Sequence, residues 1–168
     1  MKTMTKVLVP LALILILCGG ASAQESFNAQ GSTVVTNIWS YHPDSVNWFV
    51  PYINVTNITG TDVQCKITIY DHDGNDITHY SKIYSGGIGN WTIIASGTGE
   101  FNLPAHGTRM YSLKPEGTQI YTVGHAVIEW KSNDPLLRKA VIAGITTLRA
   151  DSKGISTGIS EINNGQPF

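Results

Sequence analysis

Cysteine, clustered positive charge and helical periodicity are the scarce features of this chain. Of two cysteines in 168 residues, Cys18 falls in an apolar N-terminal segment, which leaves Cys65 alone in the body of the protein. A lone cysteine excludes an internal disulfide framework, even in an oxidising compartment. Charged residues make up only 14% of the chain, and Lys and Arg are scattered. Without a basic run, a nucleic-acid partner or an anionic membrane surface is not expected. Beyond the N-terminus no apolar run is long enough to span a bilayer, so no membrane span is expected in the mature chain. No window sustains a 3.6-residue period, which argues against helices.

What is present begins with an export pattern. Lys2 and Lys6 precede an apolar core from Val7 to Cys18, and Ala21-Ser22-Ala23 supplies the small residues of a signal-peptidase site. Cleavage is expected after Ala23, giving a secreted or periplasmic protein. The rival reading makes Cys18 the acylated cysteine of a lipoprotein, but Leu17 stands where that processing wants a small residue. Loss of residues 1–23 leaves 145 residues, enough for one domain with a real core. It also leaves nine basic against twelve acidic residues, a formal charge of −3. Residues 24–31 read as a flexible leader, and 32–168 as a single domain.

The clearest element runs from Val63 to Tyr70. Val63, Cys65, Ile67 and Ile69 occupy one phase of a period of two, and Gln64, Lys66, Thr68 and Tyr70 the other. The alternation stops at Asp71-His72-Asp73-Gly74-Asn75-Asp76, so the run predicts a half-buried strand entering a hairpin toward a short strand at 79–84. Cys65 lies on the apolar phase and reads as a small buried hydrophobe. An intermolecular disulfide or reactive thiol would require its exposure.

Further strands are expected over 33–39, 46–56, 92–95, 99–103, 108–113, 121–131, 138–149 and 155–162. Pro51 removes a ladder donor from the second of these, which calls for an edge or a bulge. Residues 77–91, which hold the glycines at 86, 87 and 89, read as a long mobile loop with the short strand at 79–84 within it. Strands separated by turn signals, with no helices between, predict an all-β fold. The expected form is an antiparallel β-sandwich of about seven to nine strands.

Motifs for chemistry are sparse. Asp71, Asp73 and Asn75 have the first ligand spacing of a calcium loop, but the glycine is at the fourth position and Lys82 stands where the closing acid belongs. A tight turn accounts for the same residues. His42, His72, His79, His106 and His125 lack the paired spacing of a zinc site. There is no Gly-x-Ser-x-Gly elbow and no phosphate loop opening a helix. No catalytic residue, cofactor or metal is therefore assigned, and an enzyme is not expected. Asn54, Asn57 and Asn90 each begin a glycosylation sequon.

Aromatic residues are the better lead. Trp39, Tyr41, Trp48, Tyr52, Trp91 and Trp130 cannot all be core, because several lie in turns or on the polar phase of their strands, and exposed Trp and Tyr suit sugar- or protein-binding faces. Rings that cap the open ends of a sandwich are the alternative.

Three stretches also resemble the sensory rhodopsin transducer family: Lys66–Tyr70, Asn102–Arg109, and Val141–Lys153 with its ending Thr147-Leu148-Arg149-Ala150-Asp151-Ser152-Lys153. These short strand-and-turn motifs are shared with many immunoglobulin-like domains. The resemblance implies a small β-sandwich that assembles into oligomers and binds ligands. The family is cytoplasmic, so the export signal is a departure and no rhodopsin role is carried over. Arg149 and Asp151, two apart, would share one side of a strand, as a surface pair or in a ligand pocket.

Two expectations follow. One is an exported binding module for a carbohydrate, small ligand or protein partner, with Trp48, Tyr52, Trp91, Arg149 and Asp151 as ligand-binding residues. The other is a structural subunit that self-assembles through strand edges into a homo-oligomer or filament, lending a neighbour the strand at 31–39.

Overall fold

A computed structural model describes residues 26–44, 46–87, 89–113 and 121–168. The expected signal peptide and its cleavage site lie outside the described residues. Ten strands follow one another: β1 (Gly31–Tyr41), β2 (Trp48–Asn57), β3 (Val63–Tyr70), β4 (Ser81–Gly87), β5 (Asn90–Ser96), β6 (Glu100–Leu103), β7 (Thr108–Leu113), β8 (Tyr121–Lys131), β9 (Val141–Asp151) and β10 (Gly154–Glu161). Two single-turn 3₁₀ helices, Thr78–Tyr80 and Asn163–Gly165, complete the elements. The protein is all-β and antiparallel, with more strands than the seven to nine expected. Its connected sheet curls until it is nearly a barrel.

β2 is the hinge of this arrangement. One edge pairs with β9 along its whole length. The other meets β1 at the single pair Tyr41↔Phe49 and then β7 from Tyr52 onward. Pro51 sits between those two partners, so its missing N–H falls where β2 changes neighbour rather than at a sheet edge or bulge. From β2 the ladders run through β7 and β4 to β5, through β9 to β10, and from β1 through β8 and β3 to β6.

The strand alternation in the sequence sets the core. Val63, Cys65, Ile67 and Ile69 on β3 are at most 1% exposed, and they meet Ala126, Ile128 and Trp130 of β8, all fully buried. Full burial of each valine or isoleucine among them contributes roughly 1.5–3 kcal/mol. Burial also pushes the Cys65 thiol up to about 12. Trp130 belongs to this core rather than to a binding face, and its Nε1 donates a 2.7 Å hydrogen bond to the Phe168 carbonyl. The chain end is thereby tied down. At the other end, Phe27 packs beneath the Lys131 ammonium, 4.6 Å from the ring centre, and Gln30 N donates to the Trp130 carbonyl. Residues 27–30 of the expected flexible leader are therefore pinned to the body.

Two local expectations need correction. β3 does not form a hairpin with the next strand: its ladder partners are β6 and β8, while β4 pairs with β5 and β7. After the Asp71–Asp76 turn, Ile77 N bonds the Ile69 carbonyl, and Thr78 Oγ1 accepts from Ile69 N. These bonds use up the end of β3, and the 3₁₀ turn carries the chain away. The glycine run is likewise no long loop but the end of the β4–β5 hairpin. Gly86, at φ +105°, lies so close to the Asn90 carbonyl that a Cβ would fall 2.0 Å from it.

Asn57 is also redefined. It is fully buried, and its Nδ2 donates to the carbonyls of Thr61, Leu103 and Pro104 while its Oδ1 accepts from Thr59 N and Oγ1. The sequon there is a loop clamp whose amide has no room for a glycan in the folded protein.

Candidate functional site

An irregularity in β1 creates the site. The β1–β8 register shifts between Val35 and Ile38, with Asn37 at φ 60°. Val35 and Ile38 are both buried although three residues apart. An unbroken period of two from Val35 would turn Trp39 and Tyr41 inward. The bulge instead puts Ser40 inside and re-aims both rings outward, where they are about half exposed. Asn tolerates the left-handed conformation that this requires.

β8 extends the same face. Tyr121 lies opposite Tyr41 and Val123 opposite Trp39. The two tyrosine rings meet edge-on with centroids 5.2 Å apart, and Trp39 meets Phe49 of β2 at 6.3 Å. Phe49 in turn stands across the β2–β9 ladder from Arg149, and Trp48 from Ala150. The Arg149 Nη2 is 3.7 Å from the Asp151 Oδ2, while the Asp151 Oδ1 accepts from Lys153 N. Both side chains are well exposed, so the pair adds little stability. It can instead reorganise around a ligand.

These residues enclose a pocket of about 890 Å³ between β1, β2, β8 and β9. Its wall includes Trp39, Tyr41, Trp48, Phe49, Tyr121 and Arg149, together with Asp151, His72, Asn47 and the buried pair Ser40 and Thr122. Ser40 and Thr122 face each other across the β1–β8 ladder, and among the described residues neither buried hydroxyl has a hydrogen-bond partner. A second hollow of about 410 Å³, lined by Thr147, Ser156, Thr157 and Gly158, shares Phe49 and Arg149 with the first. The two form an elongated groove along the β9–β10 hairpin.

Of the five ligand-binding residues expected from sequence, the pocket brings together Trp48, Arg149 and Asp151. Tyr52 lies elsewhere on β2, half-buried, and burial raises its phenol, with a smaller push from Tyr84. Trp91 is on β5, edge-on to Tyr84 at 6.5 Å. Neither is in the pocket wall. Tyr121, Phe49 and Asn47 were not singled out from sequence, and His72 only among the histidines weighed for zinc. Tyr121 opens a strong strand on its polar phase, the one signal that could have marked it.

The Asp71, Asp73 and Asn75 set forms a closed turn. The Asp71 Oδ1 accepts from Asp73 N, Asn75 N and Asn75 Nδ2, and Gly74 takes φ +84°. The Asn75 side-chain and backbone bonds hold the Asp71 carboxyl below its ordinary value. These are the contacts of an Asx turn. The turn's role here is to carry His72 to the pocket rim. Asp44 does the same for Asn47, whose N and Nδ2 both donate to its carboxylate.

Flat rings lining an open groove and one cation beside one anion make a surface suited to an amphipathic ring with polar substituents. The comparisons add fold alone. No family model matches the chain, and no curated protein matches it. A crystal structure of the Thermotoga maritima protein 1070 is similar over 81% of this chain and 98% of that one, with a TM-score of 0.50 and 10% identity, a likeness that extends to the fold.

Proposed function

We propose that this protein is an exported, non-enzymatic binding module whose aromatic groove holds a neutral saccharide. The observation that carries this reading is the convergence of Trp39, Tyr41, Trp48, Phe49 and Tyr121 with Arg149 and Asp151 on one pocket of about 890 Å³. Aromatic faces cover the apolar faces of a sugar ring, while a guanidinium and a carboxylate side by side bond its hydroxyls. The opposite charges of Arg149 and Asp151 favour a neutral ligand over an ionic one. The adjoining hollow around Ser156 and Gly158 gives room for a second sugar unit. Export rests on the Lys2-to-Ala23 pattern. The two-layer sandwich and the kinship to the sensory rhodopsin transducer family belong to the same proposal, through the motifs at 66–70, 102–109 and 141–153.

The test is calorimetric titration of neutral mono- and oligosaccharides against the protein and against Trp48→Ala and Arg149→Ala. The proposal expects binding of at least one saccharide, weakened by both substitutions and strengthened with a second sugar unit. Absence of saccharide binding, or binding indifferent to both changes, would overturn it.

A further inference from the structure

Strand edges that stay open invite other strands, and most open edges here are blunted. β1 carries the bulge at Thr36–Asn37, β5 has a register shift opposite Ile83–Tyr84, and β6 is four residues long. β10 has no such device. Among the described residues it pairs with β9 alone, all eight of its residues are exposed, and it contains no proline, bulge or lysine. Ile155 and Ile159, on one face, are 70% and 81% exposed.

We infer that β10 is a self-pairing edge, and that a second copy of this chain is its occupant. The sequence of the edge is complementary to itself in one antiparallel register. When Thr157 is set opposite Thr157 of a second copy, Ile155 meets Ile159 and Ile159 meets Ile155. Lys153, the turn residue just before β10, comes beside Glu161 at each end, and Ser156 meets Gly158. The odd-numbered strand positions 155, 157 and 159 then pair like with like on the same face, with opposite charges at the ends. Among the described residues neither Lys153 nor Glu161 is in an ion pair, so both charges are available.

Backbone direction selects the same register. Asp151–Gly154 is a two-residue hairpin, so Gly154 bonds back to Asp151 and the even residues of β10 direct their N–H and C=O groups at β9. The odd residues 155, 157 and 159 direct theirs at the open edge. In the Thr157-centred register these odd residues lie directly opposite each other, as hydrogen-bonded antiparallel pairs require. The resulting two-fold interface is isologous and closes on itself, giving a dimer rather than a filament. It joins β9–β10 hairpins of two copies into a continuous sheet and leaves the groove wall at Arg149 on each copy.

The test combines mass and register. Light scattering on a sizing column over a dilution series is expected to show a dimer, twice the 18.2 kDa of the full chain. Lys153→Glu and Glu161→Lys should each shift it toward monomer, and the double exchange should restore the dimer. Thr157→Cys should cross-link the dimer on oxidation, because paired Cα atoms about 5.5 Å apart lie within disulfide range. Ser156→Cys, opposite Gly158, should not. Circular dichroism verifies that each variant is folded, which full exposure of β10 favours. A monomer at every concentration overturns the inference. So does a dimer indifferent to the charge exchanges, or one that cross-links equally at 156 and 157.

Discussion

Tyr41 and Tyr121 face each other across the β1–β8 ladder, edge to face at 5.2 Å, and together form one wall of the groove. The contact exists because the bulge at Asn37 turns the end of β1 outward. Removal of one ring should therefore cost ligand affinity without unfolding the sheet. Tyr121→Ala is expected to weaken saccharide binding about tenfold or more, the size of an aromatic hot spot. Trp91→Ala, on β5, should leave it unchanged. Titration calorimetry on the two variants measures the contrast.

Gly124 is a packing requirement of the β3–β8 ladder. A Cβ there would lie 1.9 Å from the Tyr70 carbonyl oxygen. Gly124→Ala should force the two strands apart and cost about 1–3 kcal/mol, the range for overpacking a filled site. A lower urea midpoint at unchanged slope is the expected readout.

Asn57→Ala should be more damaging than its position at the end of β2 suggests. Three carbonyls and the Thr59 amide lose their partner together. Each buried group left unpaired costs roughly 1–3 kcal/mol. Thermal melts should show a large loss, and Asn57→Asp should not restore stability because it supplies no Nδ2 donor.

Stability should fall at both ends of the pH scale, for opposite reasons. Asp71 is held below 3.8 chiefly by the Asn75 side chain, and Asp62 chiefly by the Ala105 amide. Their folded pKa values lie below the unfolded ones, so their contribution is present above about pH 4 and lost as acid protonates the folded carboxylates. At the alkaline end Cys65 is raised by burial from 9.0 to about 12. The unfolded thiol ionises first, so stability is whole below pH 9 and is lost as pH rises toward 12. Cys65→Ala should flatten that alkaline slope, and Asp71→Ala the acidic one, in denaturant midpoints measured against pH.

Much of this was legible from residue order alone. The alternation in Val63–Tyr70 and Tyr121–Lys131 marks two central strands and their buried phase, including Cys65. Trp48, Arg149 and Asp151, expected as ligand-binding residues from unusual aromatics and the two-residue spacing on one strand, do line one pocket. The bulge that re-aims Trp39 and Tyr41 was not, because Thr-Val-Val-Thr-Asn-Ile-Trp alternates no differently with or without it. The β3–β4 connection was misread for a related reason. An Asp-Gly turn signals a reversal, but Thr78 and the 3₁₀ turn after it decide which strand comes next. Tyr52 and Trp91 show the remaining limit, since exposure of a ring does not say which rings converge.

The four tryptophans divide cleanly between groove and elsewhere, which makes their indole N–H signals the most direct probe of the proposed site. In a nitrogen-15 NMR titration with the saccharide that binds best, Trp39 and Trp48 are expected to shift, while Trp91 on β5 and Trp130 in the core stay in place. Shifts confined to Trp91, or no indole shift at saturating saccharide, would contradict the groove as the binding site.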